Sequence, residues 1–361
     1  MKAKKIKNTI FYIPLLIILT ISLFIMYHAR VISPLYTKHL LKQSIFFIIG
    51  ITLILFKNKI KIKWLFDYSH ILYLINILLL IAVLFLGSTT KGAKAWFNLG
   101  IFSFQPSELM KLILCLYLTK ITNEQIFRSW KDQIKYLLKV IIIITIPSIL
   151  VFLEPDTGAI VFYFIIAIAI TFASPISKKW FIALTCFIIS MLISFFYIYT
   201  HHQDFLIKII GTSFFYRVER LLNFQKGLQI DNALTAIGSA PFLLFNLDNT
   251  RIYIPEAPTD FAFALTTNTF GILGNLILLI CYFFIDVYLL NLWKRKRKTK
   301  EHYFISGFIF MFFINQFQNI LMNIGLLPIM GIPLPFLSYG GSSTIVYFCF
   351  LTIILKETKQ N

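Results

Sequence analysis

The chain has 361 residues, of which 58% are hydrophobic and 14% are charged, and its mean hydropathy is +0.80. Soluble domains are about 45–50% apolar and about 25% charged, so this composition excludes a soluble globular protein. The net charge of +19 comes without the patterned basic faces that nucleic-acid binding requires, and we expect no nucleic-acid partner.

Ten apolar stretches are candidates for membrane-spanning helices, each of which needs about 20 residues. They lie at 9–28, 39–56, 69–86, 107–123, 138–154, 157–174, 180–199, 260–292, 303–323 and 340–356. The fourth is the weakest, because Glu108 and Lys111 lie in its first turn. The eighth is too long for one straight span, so we expect it to tilt, kink or project from the bilayer. The sequence therefore predicts an all-α polytopic membrane protein with one domain, 1–361.

The basic residues predict the orientation, because Lys and Arg collect in short cytoplasmic loops. Most of the 34 Lys and Arg residues lie at 1–8, 57–63, 128–139, 178–179, 294–300 and 356–359, whereas 324–339 has none. Both termini are then cytoplasmic. The basic N-terminus is followed by an apolar core without a small-residue cleavage site, so we interpret it as a retained first helix.

Two predicted outer segments, 87–106 and 200–259, are longer than simple connectors, and such loops tend to be functional or disordered. Their content of Phe, Tyr, Leu and Ile indicates that they fold onto the helix bundle. Together with 324–339, they are the predicted location of a site. His201 and His202 are adjacent in the second segment but lack the further ligands of a metal site.

The motif FQPSELMK contains the charges that weaken the fourth span. Ser107 is suited to cap this helix, and Glu108 in the first turn favours the positive helix end. Lys111 lies three residues further on the same face, so the two charges are expected to pair. A lysine one turn into an apolar span is costly, which favours a functional role for the pair.

Two further carboxylates stand at predicted helix starts. Asp156, in EPDTG, either caps the sixth span or belongs to a site, and its position fits both. In PEAPTDF, Thr259 is expected to cap the eighth span, which leaves Asp260 available for chemistry.

Two other stretches are candidates for binding an anion. Arg217 and Arg220, three residues apart, form either a headgroup-facing amphipathic stretch or a clamp for phosphate oxygens. The rigid segment PLPFLSYGGSS precedes the last span. It is either an ordinary loop ending in a cap at Ser342 or Ser343, or an anion site at a helix start. Its length and rigidity favour the second alternative.

Five motifs, FSFQPSE, EPDTG, LTAIGS, PEAPTDF and PLPFLSYGGSS, occur in this order, and the chain resembles the SEDS family (shape, elongation, division and sporulation proteins) from about 87 to 350. Within the family, LLPIMGIPLPFLSYGGSS is closer to the RodA branch. The resemblance implies a peptidoglycan glycosyltransferase of the bacterial cytoplasmic membrane that polymerises lipid II during cell elongation. Its implied partners are a penicillin-binding transpeptidase, other elongation-complex proteins and membrane lipids.

The resemblance also implies roles for individual residues. Asp260 matches the aspartate of the family's His-Thr-Asp-Phe motif and is expected to be the general base. The expected substrate-binding residues are Trp96, Glu108, Lys111, Asp156, Arg217, Arg220, Ser338, Tyr339, Ser342 and Ser343. No cofactor motif is present. A divalent cation that bridges Asp260 and the substrate pyrophosphate is compatible with the chemistry, although no ligand spacing supports it.

The chain departs from the family pattern at three places. Pro258 replaces the histidine of the motif, Asn268 and Thr269 replace two glutamates, and 240–242 lacks the usual glycines. Two alternatives therefore remain beside the enzyme: a flippase for lipid-linked precursors, and a non-catalytic scaffold for a transpeptidase. The polar residues gather at the outer ends of nearly uncharged spans, which favours surface chemistry over transport.

Overall fold

The computed structural model describes residues 2–90, 93–100, 102–212, 227–246, 252–297 and 299–357. Its helices are α1 (Lys2–Ile32), α2 (His39–Leu55), α3 (Ile62–Asp67), α4 (Ser69–Leu86), α5 (Pro106–Glu124), α6 (Trp130–Leu153), α7 (Thr157–Ala173), α8 (Lys179–His201), α9 (Gln203–Ile210), α10 (Leu228–Gly238), α11 (Ala262–Arg295), α12 (Lys300–Asn323) and α13 (Gly341–Glu357). Short 3₁₀ turns cover Pro34–Tyr36 and Lys57–Lys59.

Each predicted span coincides with one of these helices, and the all-α membrane fold is confirmed. In the described part of the chain, seven helices are long and apolar enough to cross a membrane: α1, α2 with its preceding turn, α4, α6, α8, α11 and α12. Helices α7 and α13 are apolar but shorter. Helix α5 carries four charged residues, in agreement with its weak hydropathy signal.

The helices pack as a bundle with an extensive apolar core. Helix α1 packs on α11, α2 on α13, and α7 on both α5 and α12. Helix α5 lies deepest, since its residues from Pro106 to Thr122 are mostly buried although it is the least apolar of the predicted spans. A central helix can carry polar side chains because neighbouring helices, rather than lipid, surround them.

The long eighth span is kinked, which is one of the three outcomes expected from its length. Gly271 in α11 has φ +70° and ψ −165°, and a Cβ atom there would lie 2.6 Å from the Pro241 carbonyl oxygen. The segment 241–246 fills the kink: the amides of Ile272 and Leu273 donate to the carbonyls of Pro241 and Phe242 at 3.1 and 2.9 Å. Two of the segments that depart from the family pattern, 240–242 and 268–269, therefore adjoin one kink.

A small antiparallel sheet, which the sequence analysis did not predict, forms in the segment 87–106. Its strands are β1 (Ser88–Thr90), β2 (Ala93–Asn98) and β3 (Ser103–Phe104), in the order β1-β2-β3. Ser88 pairs with Trp96, and Phe97 pairs with Phe104. The sheet packs beside α4 and the start of α5, which confirms that this loop folds onto the bundle.

Candidate active site

A cavity of about 420 Å³ lies where the sheet, the starts of α5, α7 and α11, and the loop before α13 meet. Most of the residues that the sequence singled out contribute to its wall: Trp96, Glu108, Lys111, Asp156, Asp260, Tyr339, Ser342 and Ser343. The structure thus brings together residues that are up to 247 positions apart in the sequence. Arg217 and Arg220 lie outside the described residues.

The predicted pair of Glu108 and Lys111 forms a buried ion pair. Lys111 Nζ donates to Glu108 Oε1 at 2.6 Å, and the two residues are 3% and 8% exposed. The ammonium also lies 4.8 Å from the ring centroid of Phe162. Removing such charges from water is costly, and the close contact offsets part of that cost. The pair presents a charged surface to the cavity inside an otherwise apolar bundle.

Asp156 is the predicted cap of the sixth span, and it also lines the cavity. It is the N-cap of α7, where Oδ1 accepts from the Ala159 amide at 3.3 Å. Its other oxygen accepts from Gln105 Nε2 and from Ser107 Oγ, both at 2.8 Å. The predicted cap at Ser107 is wrong: Gln105 is the N-cap residue of α5, and the Ser107 hydroxyl is used to join α5 to the start of α7. Pro106 occupies the first helical position instead.

Asp260 stands at the end of a tight turn that leads into α11. The turn is closed by the Glu256 carbonyl, which accepts from the amides of Thr259, Asp260 and Phe261 at 3.1–3.3 Å. The predicted cap at Thr259 is wrong, because Phe261 is the N-cap residue and the Thr259 hydroxyl donates back to Glu256. Asp260 itself is half-buried and lines the cavity.

Two asparagines of α12 hold this turn. Asn319 Nδ2 and Asn323 Nδ2 donate to the main-chain carbonyl of Asp260 at 2.9 and 3.1 Å. Asn323 Oδ1 accepts from the Ala264 amide, which caps α11 from a neighbouring helix, and Asn319 also reaches the Ile332 carbonyl at 2.7 Å. Sequence reasoning missed this pair. The available signal was two amides four residues apart, on one face of an apolar span.

The loop before α13 and the first turn of that helix form another part of the cavity wall. The Tyr339 amide donates to the Pro258 carbonyl at 2.7 Å, next to the Asp260 turn. Ser342 Oγ accepts from the Gln105 amide at 2.9 Å and donates to the Ser103 carbonyl at 3.1 Å. The loop is therefore tied to the turn that carries Asp260, and the first turn of α13 is tied to the start of α5.

Ser343 and Ser338 differ in position, because Ser343 lies in the first turn of α13 and Ser338 lies in the loop before it. Ser343 lines the cavity, and its hydroxyl donates to the Gly340 carbonyl at 3.5 Å. Ser338 is 2% exposed and does not line the cavity; its hydroxyl accepts from the Leu334 amide at 2.8 Å. The Ser338 side chain therefore stabilises the loop through a buried internal hydrogen bond.

Lys42 is a cavity residue that the sequence analysis missed. It lies in the first turn of α2, is half-buried, and lines the cavity. Among the described residues, no carboxylate forms an ion pair with its ammonium. The signal was present, since a lysine at the start of an apolar span is the feature that drew attention to Lys111.

Glu154 precedes the capping residue Asp156 and is fully buried at the end of α6. Within the described ranges, neither of its carboxyl oxygens has a hydrogen-bond partner. Burial, followed by the nearby charge of Asp156, raises the pKa of this carboxyl to about 8. Glu154 is therefore mainly protonated near neutral pH.

The carboxylates of the cavity do not assemble into a cluster with further ligands. Over the residues that the structure describes, no group of three or more His, Cys, Asp or Glu side chains is placed to hold a metal ion.

Comparison with known proteins identifies the family of this chain. The family model of FtsW, RodA and SpoVE, described as cell cycle proteins, matches residues 8–361. A probable peptidoglycan glycosyltransferase FtsW of Nitrosomonas europaea is 31% identical over 338 residues, covering 89% of this chain and 83% of that protein. The peptidoglycan glycosyltransferase MrdB of Escherichia coli is 30% identical over 298 residues, covering 80% and 77%.

Solved structures share the fold. A chain of a peptidoglycan synthase complex, in a study of how polymerization and crosslinking are coordinated, aligns with TM-score 0.78 at 23% identity, covering 97% of this chain and 98% of that one. The rod shape determining protein RodA of Thermus thermophilus aligns with TM-score 0.66 at 24% identity, covering 96% and 97%. The chain belongs to the FtsW/RodA/SpoVE family, the SEDS proteins. It is a multi-pass protein of the bacterial cytoplasmic membrane.

Proposed function

We propose that the chain is a peptidoglycan glycosyltransferase that polymerises lipid II into glycan strands at the outer face of the cytoplasmic membrane. The observation that supports this most is the composition of one cavity, which contains the carboxylate of Asp260 together with the ammonium groups of Lys42 and Lys111. A polymerase of this kind needs a base for the attacking hydroxyl and positive charge for a leaving pyrophosphate. The names of the FtsW and MrdB relatives agree with it.

The proposed reaction joins a sugar 4-hydroxyl to an anomeric carbon that carries a polyprenyl pyrophosphate. The hydroxyl oxygen forms the new bond to the anomeric carbon as the bond from that carbon to the pyrophosphate breaks. Asp260 takes the hydroxyl proton, and the bonding electrons leave with the pyrophosphate. Lys42 and Lys111 stabilise the charge that develops on the leaving group, because positive groups fixed before the reaction need no reorganisation.

The other residues of the cavity wall position the substrate in this proposal. Trp96 offers an aromatic face for a sugar, and Tyr339, Ser342 and Ser343 offer hydroxyl groups for its polar edges. Asp156 keeps the starts of α5 and α7 together and so fixes the shape of the wall. Arg217 and Arg220 remain proposed contacts of the pyrophosphate.

A role in cell elongation, with a penicillin-binding transpeptidase as partner, is the biological setting that we propose. The resemblance of the segment before α13 to the RodA branch supports elongation, and the synthase complex that shares the fold supports the partnership. The precursor flippase is less well supported, because the charged groups of the cavity are held by short hydrogen bonds at helix starts and not along a path through the bundle.

The function is tested with the full chain, purified with its transpeptidase, and labelled lipid II. The transpeptidase alone is the control, and a β-lactam blocks crosslinking so that strands run on a gel. We expect strands only when the chain is present. Absence of strands from an intact, folded pair would contradict the proposal. Lipid II translocation in vesicles containing the chain would then indicate a flippase, and its absence a scaffold.

A further inference from the structure

The first turns of α2 present one face to the loop before α13. His39, Lys42, Gln43 and Phe46 share this face, because residues three, four and seven positions apart lie on the same side of a helix. Lys42 and Phe46 line the candidate active-site cavity. The face therefore extends from the cavity wall to the outer end of α2, where His39 is the first helical residue.

Two residues of this face contact the chain on either side of Tyr339. Gln43 is fully buried, and its Nε2 donates to the Ser338 carbonyl at 3.2 Å. Phe46 packs at Gly341, where an added Cβ atom would lie 2.7 Å from the phenyl ring. These contacts hold α2 close to the loop and bring the start of the helix beside the residue between them.

The His39 imidazole packs on the Tyr339 ring. The two ring centroids are 3.8 Å apart, and the ring planes are tilted by 48°. The Tyr36 ring meets the same imidazole edge-on, with centroids 5.1 Å apart. All three residues are half-buried. We refer to Tyr36, His39 and Tyr339 as the outer aromatic cluster, in which the imidazole is the middle ring.

Both tyrosines of the outer aromatic cluster are bonded to the turn that carries Asp260. The Tyr339 amide donates to the Pro258 carbonyl at 2.7 Å. The Tyr36 hydroxyl forms a hydrogen bond with the main chain of Glu256, whose carbonyl closes the turn. The cluster and the turn therefore form a closed circuit of contacts, with the imidazole between the two tyrosines.

The two segments that the cluster joins both contain strained backbone. Glu256 has φ +57°, and Phe336, three residues before Tyr339, has φ +65°. Residues other than glycine adopt this left-handed conformation only where the surrounding structure holds them in it. The turn and the loop therefore depend on contacts with other parts of the chain, and the outer aromatic cluster supplies one set of them.

We propose that His39 is a positioning residue: its imidazole fixes the Tyr339 ring at the cavity wall and keeps the Asp260 turn in place. The inference rests on the proposed function, and it adds a residue on which the position of the proposed base depends. His39 does not line the cavity, so it acts through Tyr339, which does. Aromatic rings in contact favour few mutual arrangements, and this restricts the motion of the Tyr339 ring.

The test compares His39→Ala and His39→Phe in the full chain, assembled with its transpeptidase and supplied with lipid II. Without the ring contact, we expect kcat to fall about 10- to 100-fold, because misplacing a reacting group by up to about 1 Å has this effect. KM should change less than kcat, because the residues that line the cavity remain. His39→Phe keeps a ring at this position and should retain most of the wild-type rate.

The matched control is Leu41→Ala, on the same turn of α2, which shortens a side chain that is 64% exposed and should change neither constant. Wild-type kcat in His39→Ala would overturn the proposal, and so would a raised KM with kcat unchanged. A loss in His39→Phe as large as that in His39→Ala would also overturn it, because the ring contact would then not be the feature that matters.

Fluorine NMR tests the contact without substrate. A fluorinated tyrosine is placed at position 339, and its signal is recorded in phospholipid nanodiscs. His39→Ala should shift and broaden the signal, because the neighbouring ring that shields it and restricts its motion is gone, whereas Leu41→Ala should leave it unchanged. An unchanged signal in His39→Ala would overturn the proposal. A wild type that makes no strands, with the signal still dependent on His39, would refute the polymerase function and leave the contact intact.

Discussion

The side-chain amide of Asn319 donates a 2.9 Å hydrogen bond to the main-chain carbonyl of Asp260, and with Asn323 it fastens the Asp260 turn to helix α12. Both asparagines are fully buried. A carboxylate that acts as a base must keep its place relative to the reacting hydroxyl, and here the main chain is fixed while the side chain faces the cavity. Under the proposed mechanism we therefore expect Asn319 to act as a positioning residue.

Asn319→Ala should lower kcat for glycan polymerisation by about 100-fold, the effect of misplacing a reacting group by about 1 Å. KM should change little, because the substrate contacts remain. The matched control is Asn315→Ala, one turn earlier on α12, where a buried asparagine pairs with Tyr347 and not with the Asp260 turn. If both variants lose the same activity, Asn319 contributes only to the stability of the bundle.

The ion pair of Glu108 and Lys111 gives a prediction about stability and activity together. Glu108→Gln or Lys111→Met alone leaves an uncompensated buried charge and should cost about 3–5 kcal/mol in the free energy of unfolding. The double variant removes both charges and should recover most of that loss. Its activity should stay well below that of the wild type, because one of the two cations proposed for the leaving group is absent.

The prediction is tested by measuring the free energy of unfolding in denaturant and the rate of strand synthesis on the same preparations. A double variant that is as unstable as the single ones would mean that the charges do not stabilise each other. A stable double variant with full activity would remove Lys111 from the proposed mechanism.

The spans and the Glu108–Lys111 pair could be predicted because they depend on local order in the sequence: a run of apolar residues, and a spacing of three. The Asn319–Asp260 contact joins residues 59 positions apart, and only packing of α12 on the start of α11 creates it. The caps at Ser107 and Thr259 were wrong for a related reason. Their hydroxyls find partners outside the first helical turn, which propensity rules do not include.

The cavity likewise combines features that the local sequence predicts with features that only packing creates. The motifs named most of its lining residues, yet the part of its wall at α2 depends on the close approach of Phe46 to Gly341, which no local pattern encodes. The small sheet was missed because β1 and β3 have only three and two residues. Strands this short carry no readable alternation of apolar and polar residues.

Glu154 predicts a pH dependence of stability. Its pKa rises from 4.5 in the unfolded chain to about 8 in the folded protein, so between these values the folded state holds a proton that the unfolded state has lost. Stability is therefore highest below the lower value and falls as the pH rises through the window, by about 1.4 kcal/mol per pH unit for one proton.

Glu154→Gln should remove this slope. Free energies of unfolding of the wild type and the variant, measured from about pH 5 to pH 8, should diverge by the contribution of one proton. Parallel curves would show that Glu154 titrates in the same range when folded and unfolded.

The kink at Gly271 should not tolerate a side chain. Gly271→Ala combines a positive φ with a contact of 2.6 Å to the Pro241 carbonyl oxygen, and we expect a loss of about 1–3 kcal/mol in stability. Gly238→Ala is the control, since an added Cβ atom at the end of α10 meets nothing within 4 Å. Thermal unfolding of the two variants tests this, and equal midpoints would refute a structural requirement for glycine at 271.

The most direct test of the central claim is the rate of strand synthesis by Asp260→Asn, assembled with its transpeptidase and compared with the wild type at the same lipid II occupancy. Asparagine preserves the size of the side chain and cannot accept the proton, so we expect polymerisation to fall by about 10²- to 10⁴-fold with lipid II binding retained. Strand synthesis at the wild-type rate would contradict the assignment of Asp260 as the base and with it the proposed mechanism.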